Sequence, residues 1–114
     1  MKAAIDIGTN SVLMLVGEPC EGEVRPERDL MRVTRLGEGL SASGAISPEA
    51  ARRTLDALRE YRSVCLAAGV GEIAAVGTAA MRTASNGAQF SKEASDAVGA
   101  EIEILSEERE SDRK

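Results

Sequence analysis

The chain has 114 residues and a formal net charge of −5, with 43% hydrophobic and 29% charged residues; that is material for one small domain with one core. The acidic balance excludes a general nucleic-acid binder, whose non-specific affinity rests on cationic contacts to phosphates, and the lack of histidine excludes Ser-His-Asp and Cys-His catalysis along with the commonest zinc ligand. With one Phe, one Tyr and no Trp, the core must come from Ala, Val, Ile and Leu, a diet suited to layered α/β packing.

Lys2 and Asp6 interrupt the first apolar run, which therefore lacks a signal-peptide pattern, and no apolar stretch reaches membrane-spanning length. A cytoplasmic protein without a membrane partner is expected. Cys20 and Cys65 lack C-x-x-C spacing and read as two unrelated packing thiols of a reducing compartment.

Residues 2–7 alternate, with Ala3, Ile5 and Ile7 toward one side of a strand and Ala4 and Asp6 toward the other. Asp6-Ile7-Gly8-Thr9-Asn10-Ser11 then leads into the apolar run Val12–Val16, so the spacing predicts a hairpin with a Gly-Thr-Asn turn. An ordinary tight turn would use the same residue types. Such a turn also gathers free N–H groups and two hydroxyls at one point, a cradle for phosphate oxygens. The Asp6 carboxylate just before it suits a divalent cation that neutralises them. No Gly-Lys-Ser/Thr follows, so the loop is not a P-loop.

Val12–Val16 is apolar without alternation and predicts a strand buried on both faces. Pro19–Gly22 reads as a turn. Residues 23–36 predict a third strand, although Arg25, Arg28, Arg32 and Arg35 fall at helical spacing; Pro26 opposes a helix through the segment. These arginines, beside Glu27 and Asp29, read as exposed charges. Gly37–Gly44 is a glycine- and serine-rich loop. Ser47 as N-cap, Pro48 at the first position and Glu49 in the first turn open a helix that runs to Ala68 and stops at Gly69, burying Leu55, Leu58, Tyr61 and Cys65. Ile73–Val76 predicts a strand, residues 88–98 a helix closed by Gly99, and Ile102–Leu105 a last strand. Ser106 then caps an acidic helix start. The order is β-β-β-α-β-α-β in a partly parallel sheet.

Three further stretches, Arg35-Leu36-Gly37-Glu38-Gly39-Leu40, Gly77-Thr78-Ala79-Ala80-Met81-Arg82-Thr83-Ala84-Ser85-Asn86 and Ile102-Glu103-Ile104-Leu105-Ser106, accompany the hairpin motif. Together they resemble the exopolyphosphatase/guanosine pentaphosphate phosphatase family, over nearly the whole chain. The resemblance implies an α/β, ribonuclease-H-like (actin-like ATPase) lobe that hydrolyses a terminal phosphoanhydride of polyphosphate or of guanosine penta-/tetraphosphate with Mg²⁺. By the same resemblance Asp6 would help position the metal. Gly8, Thr9, Asn10 and Ser11 would form the first phosphate loop, Arg82 would grip a substrate phosphate, and Glu110 would orient or deprotonate the attacking water. Asn86 reads as a cap or turn residue.

The run Ser106-Glu107-Glu108-Arg109-Glu110-Ser111 departs from the family, with Glu107 in place of a glycine and Arg109 interrupting the acids. Glu108 is therefore the alternative catalytic carboxylate. Residues 1–114 read as one N-terminal lobe, truncated before a second phosphate loop and nearly inactive alone. Such a lobe is expected to expose apolar surface, with self-association as a homodimer one outcome. Two other readings stay open: another actin-like-fold ATPase or small-molecule kinase, and a non-catalytic phosphate-binding fragment.

Overall fold

Alternating residues of the first strand build one wall of the core. In the computed structural model, which describes residues 1–21 and 23–106, β1 (Lys2–Ile7) buries Ala3, Ile5 and Ile7 and leaves Ala4 and Asp6 half-buried on the other face. β2 (Ser11–Cys20) folds back antiparallel with Ile7 opposite Val12, as the hairpin motif predicts. β3 (Glu23–Val33) pairs antiparallel with β2, whereas β4 (Glu72–Gly77) and β5 (Ile102–Ile104) add in parallel beyond β1. The sheet order is β3-β2-β1-β4-β5.

β2 corrects the sequence expectation of a strand buried on both faces. Val12, Met14 and Val16 are buried, while Leu13 and Leu15 are exposed by 44% and 37%. The reason lies in the layers: the long helices pack together over the core face, and among the described residues no helix covers the other. β2 also runs through Pro19 to Cys20, leaving Glu21, at φ 52°, in the connection to β3. β3 stops at Val33 rather than near Leu36, so strand pairing prevails over the helical spacing of its arginines. Pro26, which has no N–H to give the ladder, lies opposite Gly17 where the register shifts. A Cβ on Gly17 would overlap the Arg25 carbonyl there.

α2 (Pro48–Ala68) is the helix the capping residues predict. Ser47 accepts from the Ala50 N–H at 3.1 Å, Gly69 closes the helix at φ 73°, and Leu55, Leu58, Tyr61 and Cys65 are buried. The Tyr61 hydroxyl donates to the Val12 carbonyl at 2.8 Å, fixing α2 over β2. Burial pushes both the Tyr61 phenol and the Cys65 thiol above their ordinary values. α4 (Gly87–Val98) adds Phe90, Ala94, Ala97 and Val98 to the core and ends at Gly99. Two one-turn helices were not foreseen: α1 (Leu40–Ser43) inside the glycine-rich loop and α3 (Ala79–Thr83) after β4.

Candidate functional site

The parallel strands β1, β4 and β5 all end at one edge of the sheet, the end at which open α/β sheets place ligands. Their ends are tied together. The Thr78 N–H and hydroxyl both donate to the Ile7 carbonyl, at 3.2 and 3.1 Å. The Leu105 N–H donates to Gly77 at 2.9 Å. Arg82 sits on α3, is half-buried, and donates from Nη1 to the Leu105 carbonyl at 2.9 Å. That bond fixes the guanidinium at the same edge as the β1–β2 loop.

The loop itself is closed by a bond from the Gly8 N–H to the Ser11 carbonyl at 2.9 Å. Its space is tight: a Cβ on Gly8 would stand 3.0 Å from that carbonyl oxygen. The Thr9 and Asn10 carbonyls are both taken, the first by Gly37 N–H at 3.0 Å, the second by Thr34 and Arg35 N–H at 3.1 and 3.0 Å. Among the described residues, the Thr9 and Asn10 N–H groups and the Thr9, Asn10 and Ser11 side chains donate to nothing. An anion placed at the loop therefore meets donors that the described residues have not already used.

Asp6 precedes the loop on the face opposite the core, opposite Leu13 on one side and Val76 on the other. It borders an open groove of about 670 Å³ lined by Leu13, Leu15, Met31 and Val76, with Asp29 as a second carboxylate. Among the described residues no three acidic or cysteine side chains form a cation cage. Asp6 and Asp29 are the two carboxylates at this groove, and a hard cation that keeps several waters needs only one or two carboxylates.

The structure thus brings Asp6, Gly8–Ser11 and Arg82 to one edge. Glu110 and Glu108 lie outside the described residues. Asn86 does not cap α4 with its side chain; instead it accepts from the Ile46 N–H at 2.8 Å and donates to the Ile46 carbonyl at 3.0 Å, stitching the two loops. Sequence reasoning missed Thr78, whose signal was its place after β4, and missed the 34–38 strap under the loop. It also missed Arg53, which donates from Nε to the Thr34 carbonyl at 2.9 Å. Arg53 has no local signature, being one of many charges on α2.

A model of the Ppx/GppA phosphatase family matches residues 25–114. A guanosine-5'-triphosphate,3'-diphosphate pyrophosphatase of Vibrio vulnificus (strain YJ016) is 38% identical over 110 residues, 96% of this chain and 22% of its own length. The chain thus spans under a quarter of that relative. Among solved structures, the Aquifex aeolicus member of the Ppx/GppA family superposes with a TM-score of 0.87 at 28% identity, over 96% of this chain and 36% of its own. An exopolyphosphatase from Cytophaga hutchinsonii ATCC 33406 does so at 0.88 and 27%, over 97% and 36%. Motif order, actin-like topology and these matches converge: the chain belongs to the Ppx/GppA phosphatase family.

Proposed function

We propose that the whole protein is a Mg²⁺-dependent phosphoanhydride hydrolase that releases terminal phosphate from inorganic polyphosphate, guanosine pentaphosphate or both, and that residues 1–114 are its first lobe. The observation that carries this reading is that, among the described residues, the Thr9 and Asn10 N–H groups and the Thr9, Asn10 and Ser11 side chains donate to nothing, at the same sheet edge as Arg82 and the carboxyl ends of three parallel strands. Gly8–Ser11 binds substrate phosphate, Arg82 grips a neighbouring phosphate as a planar bidentate donor, and Asp6 holds the cation, which supplies charge neutralisation. Glu110, with Glu108 as alternative, orients the water. Phosphoryl transfer leans on positioning and charge stabilisation, so these modest parts suffice. We assign the protein to the cytoplasm, with no nucleic-acid or membrane partner.

The test is phosphate release by the whole protein from polyphosphate, guanosine pentaphosphate and ATP, with and without Mg²⁺. Release from the first two, lost with chelator and lowered about 100-fold by Arg82→Gln, is expected. Release from ATP alone would move the protein to the ATPase reading. For residues 1–114 by themselves, which match about a fifth of the pyrophosphatase relative, the reading is a phosphate-binding lobe with almost no turnover. Robust Mg²⁺-dependent release by the 114-residue chain would overturn that part.

A further inference from the structure

The Asn10 and Ser11 N–H groups point outward because the Thr9 and Asn10 carbonyls point inward, toward the 34–37 backbone. A trans peptide holds its C=O and N–H on opposite sides of one plane. The Thr9 carbonyl and the Asn10 N–H share such a unit, as do the Asn10 carbonyl and the Ser11 N–H. Tying the Thr9 carbonyl to Gly37, and the Asn10 carbonyl to Thr34 and Arg35, therefore turns the Asn10 and Ser11 N–H groups away from the strap. The contact is close as well as bonded: a Cβ on Gly37 would overlap Thr9 Cγ2. Arg35 keeps φ 50°, a conformation uncommon outside glycine, at the residue whose N–H reaches Asn10.

One side chain holds that strap from behind. The Arg53 guanidinium, half-buried on α2, donates from Nε to the Thr34 carbonyl at 2.9 Å and from Nη2 to the Arg35 carbonyl at 3.4 Å. It also pairs through Nη2 with Glu38 at 3.2 Å. The fork spans three acceptors in the strap, and α2 is anchored in the core by Leu55, Leu58 and Tyr61. A lysine ammonium is a point charge and cannot reproduce that fork.

We propose that Arg53 is a positioning residue for phosphate binding: through the 34–38 strap it fixes the peptide planes of Thr9 and Asn10, and so aims the N–H groups that receive a substrate phosphate. This rests on the phosphate-binding reading of Gly8–Ser11. Arg53 touches no substrate in this role, and its effect is on geometry rather than on charge.

The test uses the 114-residue chain labelled for amide NMR and titrated with tripolyphosphate and Mg²⁺. In the unaltered chain, Thr9, Asn10 and Ser11 amides shift on addition. Arg53→Gln weakens tripolyphosphate about tenfold and speeds exchange of the Arg35 and Gly37 amides about tenfold, with Ile5 and Met14 keeping their protection. Arg53→Lys recovers part of the affinity. Arg52→Gln, which removes the same charge from an exposed neighbour, stays within about twofold. Gly37→Ala, which presses on Thr9 while leaving Arg53 in place, also weakens binding and serves if Arg53→Gln fails to fold. No shift at Thr9–Ser11 in the unaltered chain removes the phosphate reading and this inference with it. Binding that survives Arg53→Gln and Gly37→Ala, or that falls equally in Arg52→Gln, removes this inference alone.

Discussion

Thr34 shows how much the strap is asked to do. Its N–H and carbonyl are both used, by Asn10 and Arg53, but its hydroxyl is buried without a partner among the described residues. The other two buried threonines differ: Thr54 donates to Ala50 and Thr78 to Ile7. A buried hydroxyl without a hydrogen bond costs desolvation that nothing returns. Thr34→Val keeps the shape, loses the orphan and leaves the backbone bonds intact. It is expected to stabilise the chain by about 1 kcal/mol in urea denaturation. A loss of stability would mean that the hydroxyl is satisfied by a buried water. At this scale the sequence was most informative where chemistry sits on consecutive residues. Asp6 and Gly8–Ser11 stand out as candidates because they form one short run, whereas Arg53 bonds to residues 15 to 19 positions away and nothing local marks it.

Among the elements, α3 and α4 decide where Arg82 points. α4 begins at Gly87, and a Cβ there would run into the Met81 carbonyl, next to Arg82. Met81 in turn fills the space over Gly77, where a Cβ would lie 2.6 Å from its sulfur. The helix start, the one-turn helix and the end of β4 therefore pack as a single block. Gly87→Ala has to move backbone rather than a flexible side-chain tip, at an expected cost of about 1–3 kcal/mol. The denaturation midpoint reads that cost, and the Arg82 side-chain resonances shift with it. An unchanged midpoint would show that α4 can slide away freely. The long helices were legible because caps and an apolar stripe agree: Ser47, Pro48, Gly69 and the Leu55–Cys65 positions all indicate the same α2. α1 and α3 were not, since a single turn leaves no periodicity to read. The two-sided burial of β2 failed for a related reason. An unbroken apolar run reports how apolar a strand is, but which face is covered depends on helices placed elsewhere in the chain.

For the molecule as a whole, that uncovered face is its most consequential surface. Leu13 and Leu15 on β2, and Met31 and Val33 on β3, are exposed by 44%, 37%, 66% and 50% and stand side by side across the paired strands. Single exposed apolar residues are normal, but a contiguous group on adjoining strands is a patch that water solvates poorly. β3 is also an edge strand, with no neighbour beyond it among the described residues. The 114-residue chain is expected to bind an environment-sensitive apolar dye at this face, and Met31→Lys to lower that signal by about half. Leu66 gives the control: it is 71% exposed, but on α2 beside the core layer, so Leu66→Lys leaves the dye signal unchanged if the patch, rather than any exposed apolar side chain, is responsible. Dye binding can also come from a loosened core, so both variants must keep the unaltered denaturation midpoint for the comparison to count. Sedimentation on the same three proteins reads whether the patch draws copies together, with Met31→Lys shifting any association toward monomer. Equal dye signals in all three, at equal stability, would mean that the face is already covered.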